Sequence, residues 1–133
     1  DFKKMREMAE AKCQEIGIDL PLDEIAGECS VGQQQMTEIT RSLMLDAKTV
    51  IMDEPTAALT ERETDRLFEV MKKLKNKGVS IIYISHRMSS CKFCDRIVVL
   101  DAGNIAEMGT HDTLLAENGI YARLYQTQAQ YYA

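Results

Sequence analysis

Three short stretches of this chain hold side chains suited to phosphate chemistry. The first is Val50-Ile51-Met52-Asp53-Glu54-Pro55, an apolar run that stops at two carboxylates. A buried parallel strand reads this way, and open α/β sheets place ligands at the carboxyl ends of such strands. There Asp53 would hold Mg²⁺ through water, since that ion keeps much of its hydration shell. Glu54 would align and polarise an attacking water, as hydrolysis of a phosphoanhydride requires. A solvated acidic turn before a helix is the plainer reading of the same letters.

The second stretch is Cys29-Ser30-Val31-Gly32-Gln33-Gln34-Gln35. A small, glycine-containing turn that opens a helix presents unpaired N–H groups and a positive dipole end, which suits an anion. The Ser30 hydroxyl and Gly32 amide would be the donors, with Gly32 leaving room for a phosphate. The competing reading is an ordinary Ser N-cap with a polar first turn. The third stretch is Tyr83-Ile84-Ser85-His86-Arg87-Met88, where His86 follows a strand and could reach the same crevice to bond a γ-phosphate. A lone His is more often a plain surface or core residue.

These groups need elements to hold them. Residues 2–16 read as a helix from Phe2, Met5, Met8, Ala9, Cys13 and Ile16, with Gly17 as its stop. A connector with Pro21 and Gly27 leads to a second helix, from about Ser30 to Leu45, striped by Met36, Ile39, Leu43 and Met44. The strand at 49–52 is expected to be buried on both faces. Thr60-Glu61-Arg62-Glu63 is a capping box, and Leu67, Val70, Met71 and Leu74 stripe the helix it opens. Lysines 72, 73, 75 and 77 suit the carboxyl end of that helix, and Gly78 ends it.

Further on, the pattern predicts a strand over 79–85, a short helix over 88–94 and a hairpin of 97–100 with 105–108. Helices follow over 111–117 and 120–130, the last with Tyr121, Leu124 and Tyr125 on one side. Strand–helix–strand alternation predicts an α/β fold with a parallel sheet and right-handed crossovers.

Composition narrows the function. The chain has 133 residues, one modest domain, and a net charge of -5 from Asp+Glu 21 against Lys+Arg 16. Nucleic-acid binding needs a basic face, so that class is disfavoured. No apolar run is long enough to cross a bilayer and the amino end lacks a signal-peptide layout, so any membrane link is expected through a partner. The start at Asp1 suggests an excised or processed piece. The four cysteines, Cys13, Cys29, Cys91 and Cys94, need no disulfide framework and fit a reducing cytosol. Cys91 and Cys94 form a lone CxxC, read as two half-buried residues ahead of a redox pair or a zinc site.

The order and spacing of the three motifs resemble the ATP-binding-cassette ATPases, in the second half of their nucleotide-binding domain. Ser30 to Met88 is especially similar to the cytoplasmic ATPases of bacterial sugar importers. The resemblance implies part of a P-loop NTPase, RecA-like sheet flanked by helices, plus the end of the helical signature subdomain. On that footing residues 1–48 are the helical and signature region, 49–109 the Walker B and switch sheet, and 110–133 the C-terminal helices.

The resemblance makes Ser30, Val31, Gly32 and Gln33 the signature loop, Asp53 the Walker B carboxylate, Glu54 the catalytic one and His86 the switch histidine. Ala57 to Thr60 takes the place of the D-loop. Val31 stands where Gly is usual, and Thr60 where Asp is usual. The implied cofactors are ATP and Mg²⁺. The implied partners are a second nucleotide-binding domain, closing head-to-tail, and transmembrane transporter subunits, with the protein peripheral at the inner face of the membrane.

Two departures qualify this. GxxxxGK[ST] is absent from the sequence, so the chain is expected to be inactive alone and to self-associate through uncovered strands. The tail, from Asp95 to Tyr125, resembles an exporter-type ATPase instead, as in a hybrid or engineered chain or an unusual lineage. A catalytically silent module that presents Ser30 and Gly32 to a partner's ATP is the alternative function.

Overall fold

The computed structural model describes residues 1–131. Tyr132 and Ala133, the end of the helical stretch expected over 110–133, lie outside the described residues. The fold is α/β, as the sequence predicts. It divides between Ile84 and Ser85 into two compact units. The division falls within the expected 49–109 sheet region because the strands form two separate sheets rather than one.

The first unit opens with helix α1, Phe2–Ile16. The Asp1 carboxylate accepts from the Lys3 and Lys4 N–H groups at its start, and Gly17 ends it at φ 74 in the left-handed region. Helix α2 spans Val31–Met44 and buries Met36, Ile39 and Leu43. Strand β1 is Thr49–Asp53, helix α3 is Glu61–Asn76 and strand β2 is Ser80–Ile84. The two strands run parallel, with Val50 beside Ile81 and Asp53 beside Ile84.

Their inner face sets the core. Val50 and Met52 pack in one cluster with Leu67, Val70 and Leu74 of α3 and Met36, Ile39 and Leu43 of α2. Ile16, at the carboxyl end of α1, joins the same cluster. Opposite it, Lys77 reaches back to Glu15 at 2.6 Å. Lys12 and then Lys77 hold the Glu15 carboxyl down to about 2, so this link stays ionised through ordinary acid conditions. Its exposure to water keeps its contribution small.

One expectation is corrected here. β1 alternates, with Val50 and Met52 buried but Ile51 65% exposed, and Ile82 and Ile84 of β2 lie open beside it. The apolar run is continuous, yet helices of this unit cover only one face of the sheet. In α1 the stripe is covered only at Cys13 and Ile16; Phe2, Met5 and Met8 are exposed. Helical spacing says which residues share a face, not whether anything packs on it.

The second unit holds a short helix α4, Met88–Cys91, three residues shorter than expected because the chain leaves the helix at Lys92. Strands β3, Ile97–Asp101, and β4, Asn104–Gly109, form an antiparallel hairpin. Its turn puts Ala102 at φ 47 and Gly103 at φ 78, the paired positive values of a tight two-residue hairpin. Helices α5, His111–Ala116, and α6, Ile120–Tyr131, complete the unit. Leu114, Tyr121, Met88 and Ile97 are its core. The Glu107 carboxylate accepts from the Ile120 and Tyr121 N–H groups at 2.5 and 2.9 Å, capping α6 from β4. Leu124, expected beside Tyr121, is exposed, and Ala122 is buried in its stead.

Leu67 is fully buried at the centre of the first core. Leu67→Ala should therefore cost about 2 to 5 kcal/mol, the range for emptying a packed site. Denaturant unfolding followed by circular dichroism checks this; a loss well under the lower figure would show that the core relaxes around the gap.

Candidate functional site

Asp53 and Glu54 stand together at the carboxyl end of β1. Asp53 is the last residue of the strand and is exposed. The Glu54 N–H continues the pairing by donating to the Ile84 carbonyl at 2.9 Å. The backbone then turns sharply: Glu54 has φ 45, and its carbonyl accepts from the Ala57 N–H at 3.1 Å. A left-handed backbone costs a residue with a side chain roughly 1–2 kcal/mol, and such strain gathers at functional sites. Pro55 and Thr56 are buried directly behind the turn, and the Thr56 hydroxyl lies 3.4 Å from the Tyr83 hydroxyl. The two carboxylates thus leave a rigid strand on an anchored corner.

Ser30 caps α2. Its hydroxyl accepts from the Gln33 N–H at 3.2 Å, and the Gln33 amide oxygen accepts from the Ser30 N–H at 2.9 Å. The local reading of Ser30 as an N-cap is what the structure shows. Val31 is exposed beside it, but Gly32 is buried. The Glu63 side chain fills the space over Gly32, so that any side chain at position 32 would collide with it. The side of Gly32 where a Cβ would stand is taken by a carboxylate of the same chain. The Ser30 hydroxyl donates to that carboxylate at 3.4 Å.

Glu63 sits below the ordinary value of 4.5 for its carboxyl. The Thr60 N–H is the main cause, followed by the Thr60 hydroxyl; burial opposes them and Ser30 adds a smaller push. The sequence gives Glu63 as the partner in the Thr60 capping box, and that box forms. Its reach to Ser30 had no signal in the sequence, because the two positions are 33 residues apart.

His86 belongs to the second unit, two residues past β2. Its side chain is exposed, while its backbone carbonyl accepts from the Gln128 amide at 2.6 Å. The Gln128 oxygen in turn accepts from the Met88 N–H at 2.9 Å, so α6 secures both sides of His86-Arg87-Met88. The structure therefore brings Asp53 and Glu54 together in one unit with the Ser30 turn, and places His86 in the other. All four cysteines are thiols. Burial first, then Cys94, pushes the Cys91 thiol up to about 11, so without a bound metal it stays protonated near neutral pH.

Two carboxylates at the carboxyl end of a parallel strand lie where open α/β sheets place ligands, and the P-loop NTPase fold itself is given by a structural match. The solved structure of a bacterial Atm1-family ABC exporter with ATP bound superposes on this chain with a TM-score of 0.79 at 29% identity. The match covers 93% of this chain and 23% of that one. Residues 3–57 match the family described as ABC transporter.

The ribose import ATP-binding protein RbsA of Bacillus licheniformis is 54% identical over 106 residues, which is 79% of this chain and 22% of the relative. The protein of the same name from Oceanobacillus iheyensis is 56% identical over 102 residues, 76% of this chain and 21% of the relative. The chain thus spans about a fifth of the length of these relatives. The chain belongs to the ABC transporter family.

The left-handed corner can be tested without any activity. Glu54→Gly and Glu54→Ala both remove the carboxylate, but only glycine adopts that backbone freely. Glu54→Gly should be the more stable of the two by about 1 kcal/mol. Equal stability in denaturant titrations would show that the corner is not strained.

Proposed function

We propose that this chain supplies the signature turn and the strand-end carboxylates of a Mg²⁺-dependent ATPase subunit that powers sugar import across a membrane. The observation that carries the reading is the Asp53–Glu54 pair at the carboxyl end of β1, with Glu54 held in a left-handed backbone. A sugar as the solute rests on the ribose import proteins that share more than half of the aligned residues.

The donor set fits Mg²⁺. That ion takes one or two carboxylates and fills its other positions with water and phosphate oxygens. Asp53 is exposed and Glu54 half-exposed beside it. Asp53 would hold the ion through water, and the ion would offset charge on the phosphates. Glu54 accepts a proton from the attacking water and orients it. His86 bonds the terminal phosphate.

The lysine loop that grips a triphosphate does not occur in these 133 residues. The chain acts with sequence that supplies it. A second domain of the same kind, closing head-to-tail, would bring Ser30 and Gly32 onto the opposite nucleotide. Among the described residues no helix is long and apolar enough to cross a membrane. Transmembrane subunits would carry the solute, with this protein at the inner face of the membrane.

The test has two parts. The chain alone should release no phosphate from millimolar Mg-ATP, since positioning supplies most of the catalysis in phosphoryl transfer. When joined to a lysine loop, Glu54→Gln should stop turnover and leave nucleotide binding intact. Loss of binding together with turnover, in a folded protein, would contradict the role given to Glu54.

A separate expectation concerns assembly. Ile51, Ile82 and Ile84 form an open apolar face on the parallel sheet. The isolated chain should associate through it, and Ile51→Lys with Ile82→Lys should reduce the association. Light scattering that reports one chain per particle at high concentration would rule this out.

A further inference from the structure

Glu63 makes more contacts than a helix cap requires. It is the third residue of α3, where a capping-box carboxylate has one task, to reach back to the cap residue. Oε2 does this alone, accepting from the Thr60 N–H and the Thr60 hydroxyl, each at 2.9 Å. Oε1 is turned the other way. It accepts from the Ser30 hydroxyl at 3.4 Å and lies over Gly32. One carboxylate therefore faces the starts of two helices, α2 and α3, each with the partial positive charge of unpaired N–H groups.

The contacts on either side of this bridge tie it to the proposed chemistry. Thr60 ends the loop that begins at Glu54, and buried Thr56 anchors that loop from within. Ser30 and Gly32 form the turn proposed to meet a nucleotide. Gly32 has no side chain, and this is what lets Glu63 lie against the α2 start. A shift of the turn must either carry Glu63 with it or break the Thr60 cap.

We propose that Glu63 is a positioning residue whose carboxylate locks the Ser30–Gly32 turn to the loop following Asp53 and Glu54, so that the two move as one body. The inference rests on the ATPase reading above. It names a residue outside the motifs and gives it a role in passing displacement from one to the other.

The experiment uses four variants of an ATPase that joins this sequence to a lysine loop: Glu63→Ala, Glu63→Gln, Ser30→Ala and the Ser30→Ala/Glu63→Ala double. Glu63→Ala should raise the KM for ATP about tenfold, the scale of one lost hydrogen bond to a charged group, with kcat little changed. Glu63→Gln can keep both links, its oxygen accepting from Thr60 and its amide N–H donating to the Ser30 hydroxyl oxygen, and should restore most of the parent KM. The double variant should be no worse than Ser30→Ala alone, because Glu63 acts through Ser30.

A purely structural cap would lower the melting temperature and leave KM unmoved. That result, or additive losses, or a Gln variant as impaired as Ala, would overturn the proposal. Hydrogen exchange on the 133-residue chain tests the link without activity. Glu63→Ala should speed exchange at residues 30–34 as well as at 60–64, and a change confined to 60–64 would also overturn it. A parent that binds no ATP and shows no turnover when joined to a lysine loop would instead strike the ATPase reading, and the exchange result would still decide on Glu63.

Discussion

The packing of Val50 and Met52 against α2 and α3 is the constraint on which the first unit depends. These two side chains fix the height and rotation of β1, and Asp53 and Glu54 extend directly from it. Leu67, Val70 and Leu74 press from α3, and Met36, Ile39 and Leu43 from α2. Because interiors are close-packed, a strand so gripped has little freedom to slide. A one-residue slip would also turn Val50 and Met52 to the open side. The hydrophobic core thus acts on the chemistry by fixing register, and the carboxylates themselves stay near water.

Much of this was legible because it is local. The apolar run 49–52, the carboxylates at its end, the Thr60 box and the glycine stops are short-range patterns, and each formed near its expected place. The Glu54 backbone was less so. A residue before proline is steered out of the right-handed helical region, normally toward extended conformations. The left-handed outcome comes from the surroundings: the bond to Ile84 on one side and the buried Pro55 and Thr56 on the other.

The parallel pairing of 49–53 with 80–84 was legible from strand–helix–strand alternation, but side-chain contacts between distant positions were not. The contact between Ser30 and Glu63 joins two caps that sequence patterns explain separately, so neither calls for the other. The helix at 2–16 formed as read, but its spacing carried no information on what covers it. Phe2, Met5 and Met8 have the right spacing, but the core reaches only as far as Cys13 and Ile16. The hairpin of 97–101 with 104–109, by contrast, is a short-range feature, and it forms at the tight turn the sequence predicts over 101–104.

The open face of the parallel sheet holds more than isoleucines. Strand alternation puts Asp53 on the same side as Ile51, and the parallel register sets it beside Ile84. Whatever apolar surface covers that face also takes the Asp53 carboxylate toward a medium of low dielectric constant. A bare anion resists such a transfer, whereas one accompanied by a cation or by hydrogen-bond donors does not. Closing the sheet and neutralising Asp53 are therefore linked free energies. With Asp53 as the proposed Mg²⁺ ligand, the affinity of a covering surface would rise with the activity of that ion, and ion uptake would rise as the face is covered.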